Sequence, residues 1–187
     1  MLEFKYLRMN VFGGSYMSHI PIPGTTQHKL IQAGLKRFAE MGYNQAEVDD
    51  IAADAGVTVG ALYHHYKSKK KFYGLLRDDV TLRILDRMEA VADAAPPELR
   101  LKLVLLTAYD SMIRLKVGRL LSEPDPRKGD NPVARYLGEL AAASGEEAGE
   151  ELGIILAEAL RAAFAQVVEH DGDEAAMRSV LNRLLSS

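Results

Sequence analysis

Apolar side chains recur every three or four positions along most of this chain, and glycine, proline or clusters of small polar residues mark the few interruptions. That spacing predicts an all-α protein. A first helix is expected to open near Thr25 or Thr26, after the extended lead Pro21-Ile22-Pro23-Gly24. Val48, Ile51, Ala52 and Ala55 then give a short helix one apolar face, and Gly56 follows directly, tolerating the left-handed backbone that ends a helix. Thr58 supplies a hydroxyl to cap a second short helix, with Leu62 and Tyr66 on one side and Val59, Gly60, Tyr63 and Lys67 largely on another.

Ser68 caps the next helix, which should run to about Ala94, where Pro96-Pro97 ends it and opens another from Glu98. Leu99 to Leu121 is apolar on nearly all sides and reads as one central helix. The composition of Ser122 to Pro132 makes a loop, and a shorter helix follows to about Ala143. Glu146 to His170 carries an apolar stripe of Leu152, Leu156, Ala159, Leu160, Ala163, Phe164 and Val167, closed by the turn Asp171-Gly172-Asp173. Met177, Val180, Leu181, Leu184 and Leu185 form a last stripe. Ala159, Ala162, Ala163 and Ala165 would let the two helices of this hairpin approach closely.

Two short helices joined by a tight turn, then a basic entry into a third, make the layout of a helix-turn-helix DNA reader. Charge points the same way. Between Val57 and Arg77 there are five basic residues (Lys67, Lys69, Lys70, Lys71, Arg77) and no acid, in a chain of formal charge −3. Lysines in a first helical turn oppose the helix dipole, so stability alone would not place them there, whereas free N–H groups beside ammonium groups suit phosphate oxygens. Residues 1–80 carry ten basic and eight acidic side chains, and residues 81–187 carry thirteen and eighteen. The second part is therefore no nucleic-acid surface.

The segment from about Thr26 to Leu76 resembles the DNA-binding domain of the TetR (tetracycline repressor) family of bacterial regulators. IQAGLKRFAEMGY is similar to that family's first helix, VDDIAADAGVT to its second helix and turn, and GALYHHYKSKKKFYGLL to its recognition helix and the start of the fourth. The resemblance implies that Thr58, Val59, Gly60 and Ala61 face base edges and that Tyr63, His64 or His65, and Lys69 touch phosphates. Lys70 stands where the family often has an acid and, with Lys67, adds phosphate attraction. Val59 and Ala61 can read a base only through apolar contact, such as with a thymine methyl. Where the family commonly has a capping Thr or Ser, this chain has Ala46 and Glu47. Asn44-Gln45-Ala46-Glu47 fits a capping box instead, with Asn44 as cap.

The resemblance further implies a homodimer on a palindromic double-stranded operator, with a small-molecule effector in the C-terminal part that releases it. The organisation expected is an N-terminal extension over 1–24, a three-helix reader over 25–70 and an effector-binding and dimerisation domain over 71–187. Leu152, Leu156, Ala159, Leu160, Ala163, Phe164, Val167, Met177, Val180, Leu181 and Leu184 are the candidate dimer contacts, unless both stripes face only the monomer core. Tyr109, Asp110, Met112, Tyr136 and Phe164 are the candidate effector contacts, since Met and aromatic side chains suit adaptable pockets. Asp110 either pairs with Arg114 one turn later or points into a cavity.

The absence of cysteine suits a reducing cytoplasm and removes thiolate chemistry. No apolar run reaches the roughly 18 to 20 residues that span a bilayer. The five histidines show no metal-ligand spacing beyond an adjacent pair and no carboxylate partner in a catalytic arrangement, so no enzyme, metal or cofactor is expected. The competing reading is a DNA-binding organiser, or a factor regulated by a protein partner, with a filled body and no small effector.

Overall fold

The computed structural model describes residues 22–185, and among them nine helices and no strand. They are α1 Thr26–Gln45, α2 Val48–Asp54, α3 Val59–Tyr66, α4 Lys69–Ala94, α5 Pro97–Leu115, α6 Arg119–Ser122, α7 Pro132–Ala143, α8 Gly149–His170 and α9 Glu174–Leu184. The N-terminal extension expected over 1–24 lies, up to residue 21, outside the described residues.

Two helix starts follow from capping residues read in the sequence, Thr58 and Ser68, and Thr25 caps the first helix in the same way. Thr25 accepts from His28 N at 3.3 Å, Thr58 from Ala61 N at 3.2 Å and Ser68 from Lys71 N at 3.1 Å. Each bond satisfies one of the amide donors a helix start leaves open. The capping box at Asn44 does not form. Gly42, at φ 72°, kinks α1 and lets one further turn run on through Gln45, so Asn44 sits inside α1. Glu47 stands at the N-cap of α2 without a side-chain bond, and Asp49 and Asp50 meet the dipole in its first turn.

The helix expected from Leu99 to Leu121 is broken. Lys116 takes the left-handed conformation at φ 52°, and α6 begins two residues after Val117. The break lets the turn reach α1: Gly118, at φ 45°, lies so close that a Cβ would collide with the Ala39 carbonyl oxygen. Nearby, Glu123 Oε2 accepts from Tyr43 N, the amide that the Gly42 kink leaves free, at 3.3 Å. Helix α8 begins at Gly149 rather than at Glu146. A Cβ at that glycine would meet the Gly138 carbonyl oxygen at 2.9 Å, so close backbone approach occurs between α7 and α8 through glycines.

Among the described residues an apolar cluster runs from Leu30, Phe38, Ile51 and Leu62 through Phe72, Tyr73 and Leu76 to Leu105, Leu137 and Leu160. Helix α4 carries that continuity, and the expected division at 70/71 falls in its first turn. Phe38 packs edge-on to Tyr73 with ring centroids 5.0 Å apart, and Tyr66 lies 4.4 Å from Phe72. Aromatic pairs of this kind add about 0.5 to 1.5 kcal/mol beyond the area they bury.

The Gly118 contact generates a test. Gly118→Ala adds both a left-handed alanine and a backbone collision, so it should lower unfolding free energy by about 2 kcal/mol or more, measured by urea denaturation. A loss below about 0.5 kcal/mol would show that the turn moves away from α1 freely.

Candidate functional site

The turn between α2 and α3 closes with two hydrogen bonds that define it. Gly56, at φ 65°, donates its N–H to Ala53 O at 2.9 Å, and Val57 N donates to Ala52 O at 3.0 Å. This pair of hydrogen bonds over a left-handed residue ends a helix sharply and sends the chain off at a new angle. Ile51 and Leu62 are fully buried where α2 and α3 meet α1 and α4. Across the base of the unit, Arg37 on α1 reaches Asp54 with two hydrogen bonds of 2.5 and 3.1 Å. Those bonds hold the guanidinium above and the carboxyl below their ordinary ranges.

With Leu62 and Tyr66 turned inward, α3 presents its other side to solvent. Thr58, Gly60, Tyr63, His64, His65, Lys67 and Lys70 are exposed, and Val59, Ala61 and Lys69 are half-buried. All ten candidate DNA contacts therefore lie on one short stretch, α3 and its two flanks. A Cβ at Gly60 would meet only Thr58 Oγ1, at 3.7 Å, which leaves the start of α3 open to a bulky neighbour.

The lysines differ in what already holds them. Lys67, left-handed at φ 66°, turns its Nζ back to His64 O at 2.9 Å. Lys69 Nζ donates to Asn44 O at 3.4 Å and lies 5.0 Å over the Tyr43 ring. Lys69 thus ties the start of α4 to the end of α1. Lys70 and Lys71 are exposed in the first turn of α4.

The body differs from the expectation for effector contacts. Tyr109, Tyr136 and Phe164 are buried, and the Tyr109 hydroxyl donates to Glu174 O at 3.0 Å, joining α5 to α9. Asp110 does not pair with Arg114. Arg178 of α9 holds it with bonds of 2.8 and 3.0 Å, a contact 68 residues apart in sequence that helical spacing does not reveal. A cavity of about 950 Å³ opens elsewhere, among α4, α5, α7, α8 and the segment after α6, and of the five candidates only Met112 lines it.

One wall of that cavity is a chain of ions absent from the sequence reading. Arg127 binds Asp78 of α4 at 2.7 and 2.9 Å and Asp125 at 2.7 to 3.2 Å. Arg77 Nε reaches Asp125 at 3.2 Å, while its Nη1 donates to Tyr73 Oη at 3.0 Å, to Glu123 O at 3.2 Å and to Leu120 O. Burial alone would raise the Asp125 carboxyl. Hydrogen bonds from Arg127 and the charges of both arginines outweigh it and hold the group below the ordinary carboxylate range. The hydrogen bonds that Arg127 donates to Asp78, then to Asp125, push its guanidinium up.

The candidate dimer contacts divide in two. Leu156, Leu160, Ala163, Phe164 and Leu181 are buried inside this single chain and are core, not surface. Leu152, Ala159, Val167 and Met177 are half-buried, and Val180 and Leu184 are exposed. Ile154 and Ile155, 52% and 62% exposed, stand on the outer face of α8 and were not among the candidates. The inward stripe repeats more regularly, so periodicity selects it first.

Residues 30–74 match the family described as bacterial regulatory proteins, tetR family. The transcriptional repressor KstR2 of Mycolicibacterium smegmatis is 33% identical over 73 residues, 39% of this chain and 36% of that protein. The transcriptional repressor Rv1474c of Mycobacterium tuberculosis is 31% identical over 123 residues, 63% of this chain and 62% of that protein. The chain thus spans less than two thirds of the length of these relatives. Among solved structures, the regulator FadR of Bacillus subtilis in complex with stearoyl-CoA superposes with a TM-score of 0.63 at 21% identity, covering 85% of this chain and 97% of that one. That likeness establishes a shared all-helical fold.

The depressed Asp125 pKa fixes a pH dependence. Its pairing contributes stability above the unfolded carboxylate value of about 4 and loses it as pH falls through the lower folded value. The stability difference between the wild type and Asp125→Asn should therefore be constant above about pH 5 and shrink below about pH 4, followed by urea denaturation across pH. A difference that grows on acidification would mean the carboxylate is not held by the arginines.

Proposed function

We propose that this chain, which belongs through its N-terminal domain to the TetR family of bacterial regulatory proteins, is a transcriptional repressor. It binds a palindromic operator as a homodimer and leaves it when a small molecule occupies the body. The observation that carries the reading is the outward side of α3, open at Gly60 and flanked by exposed Tyr63, His64, His65 and Lys70, on a helix-turn-helix rigidly closed behind it. Thr58 to Ala61 meet base edges, and Tyr63, His64, His65 and the lysines meet phosphates. Lys70 is free to do so, whereas Lys67 and Lys69 each already spend one of three ammonium donors on His64 O and Asn44 O.

Reader and body divide the labour at about residue 70, with α4 common to both. The dimer face is assigned to Ile154, Ile155, Val180 and Leu184, a set of exposed apolar side chains on α8 and α9, with Met177 beside them. Two readers on one twofold axis then meet two half-sites. A cavity of about 950 Å³ supports a ligand-responsive body over a filled one, as does the fold neighbour whose structure contains stearoyl-CoA. No described helix is long and apolar enough to cross a membrane; a repressor that meets bacterial DNA works in the cytoplasm, which is the location this reading assigns.

Selection of bound DNA from random duplexes should return an inverted repeat, with half-site centres about 34 Å apart and a footprint made by a dimer. Recovery of a single half-site bound by a monomer would contradict the proposal. Lys70→Ala should weaken binding to all duplexes alike and make the salt slope shallower by about one unit, measured by fluorescence anisotropy across salt concentration. A changed sequence preference with an unchanged slope would remove Lys70 from the phosphate set. Ile155→Glu with Leu184→Glu should give a folded monomer by sedimentation, with operator affinity reduced at least about tenfold.

A further inference from the structure

The cavity wall and the reader are joined by five residues. Asp125 enters the arginine cluster, and Glu123, two positions earlier, accepts from Tyr43 N on α1. Between and beside them stand Pro124 and Pro126, whose rings fix φ at both positions, so the segment 123–127 is a stiff strap rather than a slack loop. A displacement of Asp125 is therefore passed to Glu123. The α1 turn that Glu123 holds also carries Asn44 and Tyr43, the two contacts of Lys69 at the entry to α4.

The charges around the cavity favour one ligand class. Arg77, Arg127 and Arg135 all line it. Asp125 and Asp78 are engaged by arginine, and the pairing of Arg135 with Asp130 is a loose 4.0 Å contact to a side chain 88% exposed. An entering carboxylate or phosphate meets planar, bidentate donors and takes over bonds that Asp125 already makes. An entering cation would have to draw Asp78 or Asp125 away from Arg127, and outside that cluster it meets only the exposed Asp130 and Glu158, whose Oε2 Arg161 already holds. Ile84, Met112, Leu121 and Leu160 also line the cavity and offer an apolar surface for hydrocarbon.

We propose that this cavity takes an amphiphile with a negatively charged head group, which competes with Asp125 for Arg77 and Arg127, and that the strap 123–127 transmits the displacement to α1 through Glu123. The inference rests on the reading of the body as an effector domain and deepens it by naming the ligand chemistry and the route of coupling.

The test uses the full chain and four ten-carbon probes: decanoate, decyl phosphate, decan-1-ol and protonated decylamine. Calorimetric titration should show the two anions binding at least about tenfold more tightly than the alcohol or the amine. Asp125→Asn removes the competitor and should tighten anion binding about fivefold or more, a direction that damage to the fold would not produce. Amide exchange of the peptide containing Tyr43, read by mass spectrometry, should rise when decanoate binds. In Glu123→Gln, decanoate should bind as in the wild type while exchange at Tyr43 no longer responds. Equal or tighter binding of the alcohol or amine, no binding of any probe, weakened anion binding in folded Asp125→Asn, or unchanged Tyr43 exchange would each overturn the inference. Those outcomes leave dimeric operator binding standing, whereas failure of the duplex selection would sink the repressor reading and leave anion binding untouched.

Discussion

The seating of α1 is the constraint on which the other contacts depend. On one side, Phe38 enters the rings of Phe72 and Tyr73 and closes the core of the reader. On the other, the Ala39 carbonyl meets the turn at Gly118, where no side chain beyond hydrogen fits. A helix gripped on both faces cannot shift without disturbing a buried aromatic cluster or a backbone contact, and close-packed interiors resist such movement. The orientation of α2 and α3, which pack on α1 and α4, follows from that grip.

Polar groups then bind the pieces at the points where apolar packing stops. Tyr73 is fully buried, yet its hydroxyl donates to Leu120 O and accepts from Arg77, so the burial costs no unmet hydrogen bond. Arg77 continues to Asp125, and Asp125 to Arg127 and Asp78. A half-buried ionic chain of this kind gives little net stability compared with hydrocarbon of the same volume, but it is sensitive to any added charge. Such a wall suits a site that has to respond to a ligand more than one that only has to hold a fold together.

The reader shows the same economy in its cations. Lys67 and Lys69 close the ends of helices through carbonyl oxygens, and Lys69 adds an aromatic face. A phosphate competing for Lys69 would act on the α1 to α4 junction as well as on the DNA. That junction is also where Glu123 holds Tyr43 N, so the DNA side and the cavity side converge on the final turn of α1.

Local rules were enough for the helices and the reader. The caps at Thr25, Thr58 and Ser68, the stop at Gly56 and the inward pair Leu62 and Tyr66 depend on neighbours within five residues, so their spacing is written in the chain. The outward candidates of α3 follow from the same 3.6-residue period. What the sequence could not decide were the partners brought together by folding. Whether Asn44 capped α2 depended on a kink at Gly42 and a carboxylate 80 residues away; whether Leu99 to Leu121 stayed one helix depended on the place of Gly118 against Ala39. Asp110 had a plausible partner at helical spacing and a different one in space, and the arginine-lined cavity gathered residues from α4, α7, α8 and an apparent loop. Periodicity records which side of a helix is apolar, but not which of two apolar sides meets its own chain, and only the packed tertiary structure separated the buried Leu156 and Phe164 from the exposed Ile154 and Ile155.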